Sequence, residues 1–267
     1  MQQHLVFSHG NSFPGGTYSQ LFRVWREAGY TVHAIDKFGH DPRYPVSSNW
    51  PQLRQQLLDT VDGVRAAHGV DKVWLVGHSL GGGLSLMAAL KAPKKVRGLV
   101  VMDAPVITGW RAHSLHLAKL SGLIKRVSPG KVSQTRRQHW PNREQLRAGF
   151  SRKAMFARWH PEVLNDYLTH GFEERDDGVH LGFRREVETA IYNTLPHHMP
   201  ALLRRHPLKV PMGFIAGTQS VEMRQGGSEA ARRLAGAHYH HIEGGHLYPM
   251  ERPQETAELV LRLLRTL

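Results

Sequence analysis

Short apolar runs rich in branched residues alternate with longer amphipathic stretches along most of the chain. That alternation predicts strands joined by helical crossovers, an α/β class with a mostly parallel sheet and helices on both faces. The pattern predicts strands over residues 4–8, 31–35, 72–76, 96–102, 212–216 and 238–242. It predicts helices near 18–28, 50–68, 80–90, 229–234 and 253–264.

The alternation breaks after Asp103. Residues 110–206 read as amphipathic helical pieces separated by Ser128-Pro129-Gly130, the His160-Pro161 step and a turn at Asp176-Asp177-Gly178, without a parallel strand. Strand-like alternation resumes at Leu208. The expectation is therefore a core made of residues 1–109 and 207–267, with 110–206 as a helical cap inserted after the strand that ends near Asp103. Such an insertion sits over the carboxyl edge of the sheet, where open α/β folds bind ligands. Trp110, Trp140, Trp159, Phe150, Phe156 and Phe172 either line an apolar pocket there or pack the cap onto itself.

Composition narrows the classes. A length of 267 residues suffices for one large domain with an insertion, and 40% hydrophobic content with 26 glycines and 15 prolines is that of a globular chain rather than a disordered one. The absence of cysteine excludes disulfides, thiolate metal sites and a cysteine nucleophile. No signal-like start and no bilayer-length apolar run is visible, so a cytoplasmic enzyme without a membrane association is expected. The charge of +13 arises from 35 Lys and Arg against 22 Asp and Glu. These basic residues are scattered without aromatic interleaving, which reads as a solvated face rather than a nucleic-acid surface.

The strongest chemical signal is Gly77-His78-Ser79-Leu80-Gly81, a G-x-S-x-G run directly after an apolar strand and directly before a helix. A serine on such a turn is held in a strained backbone and projects above the sheet, with a helix N-terminus facing developing negative charge. A hydroxyl at neutral pH needs a base, which the chain must supply elsewhere. Of 19 histidines, His246 fits: Gly244-Gly245-His246 follows the last strand and precedes the closing helix. His240 and His241 lie within that strand and read as structural, as do His197 and His198.

These features together resemble the α/β-hydrolase family, in particular its cap-bearing esterase, haloalkane dehalogenase and carbon-carbon hydrolase members. The resemblance rests on His9-Gly10-Asn11 after the first strand, the serine elbow and the Gly-Gly-His loop, and it covers the core on both sides of the insertion. It implies an α/β-hydrolase fold in which the backbone N–H groups of Asn11 and Leu80 form an oxyanion hole, His9 shapes its loop and His78 packs beside the elbow. Epoxide- and carbon-halogen-cleaving members carry an aspartate nucleophile, so Ser79 argues against those reactions.

Two departures from the family pattern stand out. The position of the usual acid is occupied by Ser220, within Gly217-Thr218-Gln219-Ser220-Val221-Glu222. Asp103, at the end of its strand as in certain haloalkane dehalogenases, is the first substitute, and Glu222 is the alternative acid. The first strand also begins almost at Met1, where most relatives carry two further strands, so either the sheet is minimal or the start lies elsewhere.

The resemblance thus implies hydrolysis of a small-molecule carboxylic ester or thioester through an acyl-enzyme, with no metal or organic cofactor. The basic cap suggests an anionic substrate such as an acyl-CoA. Acyl transfer and carbon-carbon hydrolysis use the same constellation, and a low-turnover receptor retaining the pocket is the reading from another class. Oligomeric state is not encoded in any of these motifs.

Overall fold

Six of the apolar runs pair into one sheet. In the computed structural model, which describes residues 2–267, they form β1 (Gln3–Ser8), β2 (Tyr30–Ala34), β3 (Val73–His78) and β4 (Val96–Met102). Three short strands follow, β5 (His139–Trp140), β6 (Phe172–Arg175) and β7 (Gly178–Leu181), and then β8 (Met212–Gly217) and β9 (Tyr239–Ile242). The large sheet has the order β2-β1-β3-β4-β8-β9, and every neighbouring pair is parallel.

Alternate side chains of a strand face opposite ways, and here both faces are covered, so both are apolar. Val6, Leu75, Leu99 and Phe214 pack with Leu53, Leu57 and Val61 of helix α2 (Pro51–His68) and Leu84 of helix α3 (Leu80–Lys91). Leu5, Phe7, Val76 and Val100 face the other way, onto Leu21 and Trp25 of helix α1 (Ser19–Glu27) and Val260 and Leu263 of the closing helix Pro253–Thr266. The strands therefore read as continuous apolar runs and the helices as one-sided stripes. The fold is the α/β-hydrolase fold, with a parallel sheet flanked by helices. Among the described residues no strand precedes β1, and β2 forms the sheet edge on that side.

The segment between β4 and β8 differs from the purely helical expectation. β5, β7 and β6 form a small antiparallel sheet among its helices. The Asp176-Asp177-Gly178 turn is the tip of the β6–β7 hairpin, with Gly178 at φ +134°. Asp-Gly is a hairpin signal, but strands of four residues with only Phe172, Val179 and Leu181 buried give too short a pattern to register. Five of the six aromatic residues singled out in this segment are buried, and they pack on one another around Tyr167. Phe150 meets Phe156 at 4.7 Å and Phe172 at 5.4 Å between centroids, edge to face. Trp110 is instead 69% exposed and lines no core. No helix of the described residues is long and apolar enough to cross a membrane.

Candidate active site

The elbow at Ser79 is set by two glycines. A Cβ on Gly77 would fall on the carbonyl of Gly81, and one on Gly81 would fall on the carbonyl of Ser8. Without side chains at either place, the chain turns from β3 into α3 within one residue, and Ser79 takes φ +53° and ψ −118°. Its N–H donates to the Met102 carbonyl at 2.9 Å, which fixes the turn to the end of β4. A non-glycine residue in this region costs roughly 1–3 kcal/mol and persists only where its surroundings enforce it.

His246 arrives on the loop after β9. Ser79 Oγ–H donates to His246 Nε2 at 2.9 Å, and His246 Nδ1–H donates to Asp103 Oδ2 at 2.6 Å. The tautomer follows from these partners, since Nδ1 faces a carboxylate that only accepts. Burial pulls the His246 pKa down, but the hydrogen bond to Asp103, that carboxylate's charge and the charge of Glu222 outweigh it and hold the group above its ordinary value.

Asp103 follows β4 directly, is fully buried and has φ +45°. Its charge is met by three donors. Gly217 N–H reaches Oδ1 at 2.6 Å, while Ser220 Oγ–H at 2.5 Å and His246 reach Oδ2. A buried carboxylate is tolerated on such terms. Glu222 is half exposed, and its Oε2 lies 3.9 Å from His246 Nδ1, beyond hydrogen-bond range. The structure thus brings Asp103 to His246 and leaves Glu222 outside it. Asp103, Glu222 and His246 also form a geometric ligand cluster. The donors already held by Asp103 leave it little capacity for a metal.

The Asn11 and Leu80 amides lie on two segments tied together by Gly81 N–H donating to the His9 carbonyl at 3.1 Å. Leu80 is the first residue of α3, where backbone N–H groups have no partner within the helix. Neither amide meets an acceptor among the described residues. The Asn11 side chain points away, donating to the Glu188 carbonyl at 3.0 Å. Glu188 is itself buried and paired with Arg136 at 2.8 Å, and Arg136 also donates to the Tyr167 hydroxyl.

One network escaped the sequence reading. Gly10 N–H donates to the Tyr18 hydroxyl at 3.0 Å, Tyr18 O–H donates to His78 Nδ1 at 2.7 Å, and His78 Nε2–H donates to the His246 carbonyl at 2.9 Å. A neutral imidazole thereby links the Asn11 loop to the His246 loop. Burial, with the neighbouring His246, pushes the His78 pKa down to about 3. His9 is likewise fixed, Nδ1–H donating to the Gly10 carbonyl and Nε2 accepting from Phe38 N–H. His78 is visible in the motif, but nothing in the pattern marks Tyr18 as its partner.

A surface groove of about 880 Å³ is lined by Leu203, Leu208, Val210, Pro211 and Leu234, and by none of Ser79, Asp103 or His246.

Human 1-acylglycerol-3-phosphate O-acyltransferase ABHD5 is 27% identical over 214 residues, 71% of this chain and 56% of that protein. Rat monoglyceride lipase is 26% identical over 139 residues, 49% of this chain and 46% of that protein. An abhydrolase domain-containing protein of Caenorhabditis elegans, abhd-5.2, is 39% identical over 75 residues, 27% of this chain and 17% of that protein. The chain thus spans about half or less of the length of these curated relatives. Among solved structures, E-2-(acetamidomethylene)succinate hydrolase superposes with a TM-score of 0.74 at 18% identity, over 98% of this chain and 91% of that one. The thioesterase domain of the curacin biosynthetic pathway gives 0.71 at 19%, over 97% and 91%. A profile of the alpha/beta hydrolase family matches residues 5–259. The chain belongs to the alpha/beta hydrolase family.

Proposed function

We propose that the protein is a serine hydrolase that cleaves a small-molecule carboxylic ester or thioester through an acyl-enzyme. The observation that carries this reading is the continuous chain of hydrogen bonds from Ser79 Oγ through His246 to Asp103, at 2.9 Å and 2.6 Å. Ser79 attacks the carbonyl carbon as His246 Nε2 takes its proton, and Asp103 holds the tautomer and stabilises the imidazolium. The tetrahedral oxyanion sits against the free amides of Asn11 and Leu80; losing one such donor typically costs about a hundredfold in rate. The imidazolium then protonates the leaving alcohol or thiol. Water repeats the cycle, with His246 as base again, and releases the acid.

Residues 110–206 act as the cap over this edge and 1–109 with 207–267 as the core, so the cap sets which acyl and leaving groups enter. The two relatives named for lipase and acyltransferase activities favour an oxygen ester of a lipid-like acid within that class. An anionic substrate is the extension suggested by the charge of +13. Its turnover should then weaken steeply with salt while that of a neutral ester does not.

The test is labelling with a fluorophosphonate followed by an ester and thioester panel. Stoichiometric labelling at Ser79, lost in Ser79→Ala, with turnover of at least one panel member is expected. Folded protein left unlabelled would overturn the reading in favour of a binding protein.

A further inference from the structure

A second cluster of titratable groups lies at the opposite end of β1 from the Ser8–Asn11 segment. His4 and Val6 share one face of β1, and parallel pairing sets Val6 beside His33 on β2, so the two imidazoles meet diagonally on one face. Helix α2 covers that face and ends at His68, just before the Gly69 turn. The three rings stand together. His4 and His33 stack at 5.3 Å, His4 and His68 lie at 4.4 Å, and His33 and His68 at 5.1 Å between centroids. Four residues of strand, about 13 Å, separate His4 from Ser8, so the cluster is distinct from the hydrolytic site.

We propose that His4, His33 and His68 form a binding site for a single divalent transition-metal ion of the zinc, cobalt, nickel and copper group. His4 Nδ1 and His33 Nε2 are 3.1 Å apart. Two nitrogens bound to one metal at about 2.1 Å stand roughly 3.0–3.4 Å apart, depending on octahedral or tetrahedral geometry. The pair, joined by one hydrogen bond without metal, is at chelating separation, and an ion between the two nitrogens takes the place of that proton, which the donor ring carries instead on its other nitrogen. One ligand atom from each histidine lies within 4.8 Å of the others, and His68, exposed at the helix end, closes the remaining gap by side-chain rotation.

The chemistry of the donors fits. Three imidazoles without a carboxylate or thiolate select the borderline metals over calcium or magnesium. Burial first, then the neighbouring His68, lowers the His4 pKa; burial, the two other histidines and Arg26 lower that of His33. Neither ring nitrogen of His68 meets a hydrogen-bond partner among the described residues. The positive charge of Arg26, near His33, opposes a bound cation and weakens the site. A bound ion would tie the edge strand β2 to the end of α2, leaving a fourth position for water.

The test is calorimetric titration of zinc chloride into the full-length protein without a histidine tag, for wild type, His68→Gln and His33→Gln. One equivalent should bind to wild type. Affinity should fall at least about tenfold in either variant. At a hundredfold excess over the wild-type Kd, zinc should raise the wild-type thermal midpoint by about 5 °C and that of His68→Gln by no more than about half as much. Ester hydrolysis by His68→Gln should equal wild type in the absence of zinc. No binding to wild type below about 1 mM, or equal binding by wild type and both variants, would overturn the proposal.

Discussion

Ser220 Oγ donates to Asp103 Oδ2 at 2.5 Å, so the serine found where the family resemblance implied an acid instead holds the buried carboxylate at the end of β4. The same hydroxyl accepts from Met223 N–H at 3.1 Å and so caps the helix Val221–Gly226.

Asp103→Asn should lower kcat about 10³–10⁴-fold while leaving the fold intact, because an amide favours the wrong tautomer of His246. Glu222→Gln should stay within about threefold of wild type, since its carboxylate is 3.9 Å from Nδ1 and faces solvent. Adding Ser220→Asp to Asp103→Asn returns a carboxylate to the region of His246 Nδ1 and should recover at least about tenfold in kcat. Steady-state kinetics on the best ester of the panel decide this. Loss of activity in Glu222→Gln with Asp103→Asn unaffected would reverse the assignment.

The pH profile follows from His246. Proton abstraction needs its neutral form, so kcat/KM rises with pH through its pKa, which Asp103 holds above the ordinary 6.5. In Asp103→Asn the hydrogen bond and charge of that carboxylate are gone, only the smaller pull of Glu222 remains, and burial still lowers the pKa. The acid limb of the residual activity should shift to lower pH. A limb that stays in place would mean that Asp103 does not face the imidazolium.

Legibility tracked how local each feature is. Ser79 was readable because the glycines that free its turn are its neighbours in sequence. His246 was readable from its order after the last strand. The choice between Asp103 and Glu222 was not, since it turns on the Gly217 and Ser220 donors, 114 and 117 residues along the chain from Asp103. The bond from Tyr18 to His78 spans 60 positions and left no pattern at all. The six core strands showed because both sheet faces are buried, whereas β5 to β7 are too short for an alternation to stand out.

His78 makes stability depend on pH. Its folded pKa of about 3 lies below the unfolded 6.5, so between those values the unfolded chain binds the extra proton. Stability is then complete above pH 6.5 and falls as pH drops through the window, by about 1.4 kcal/mol per unit for this one group. His9, pushed by burial to about 4, adds a parallel loss over a narrower range. Urea unfolding of wild type and His78→Gln between pH 6.5 and 4.5 should show the variant's slope shallower by about one proton. Equal slopes would mean that His78 is not buried neutral.

The strain at Ser79 predicts a trade of activity for stability. Relief of its backbone is worth roughly 1–3 kcal/mol. The extra chain entropy of a glycine costs about 0.5–1 kcal/mol, so relief wins. Ser79→Gly should raise the thermal midpoint by about 2–4 °C, while Ser79→Ala, equally inactive, keeps the strain and gains little. Equal midpoints for the two variants would show the turn to be unstrained.

Arg136 and Glu188 form a buried pair at 2.8 Å beside the Asn11 loop, and the two halves are not equivalent to lose. Arg136→Met strands the Glu188 carboxylate and removes a donor from the Tyr167 hydroxyl, which should cost about 3–5 kcal/mol. Replacing both, with Arg136→Met and Glu188→Leu, removes the stranded charge and should recover most of that loss. Because the Glu188 carbonyl holds the Asn11 side chain at 3.0 Å, the single variant should also lower kcat several-fold as the loop carrying the Asn11 amide shifts. Denaturation midpoints and steady-state rates on the three proteins separate the effects. If the double variant is no more stable than Arg136→Met, the pair is net stabilising rather than merely tolerated.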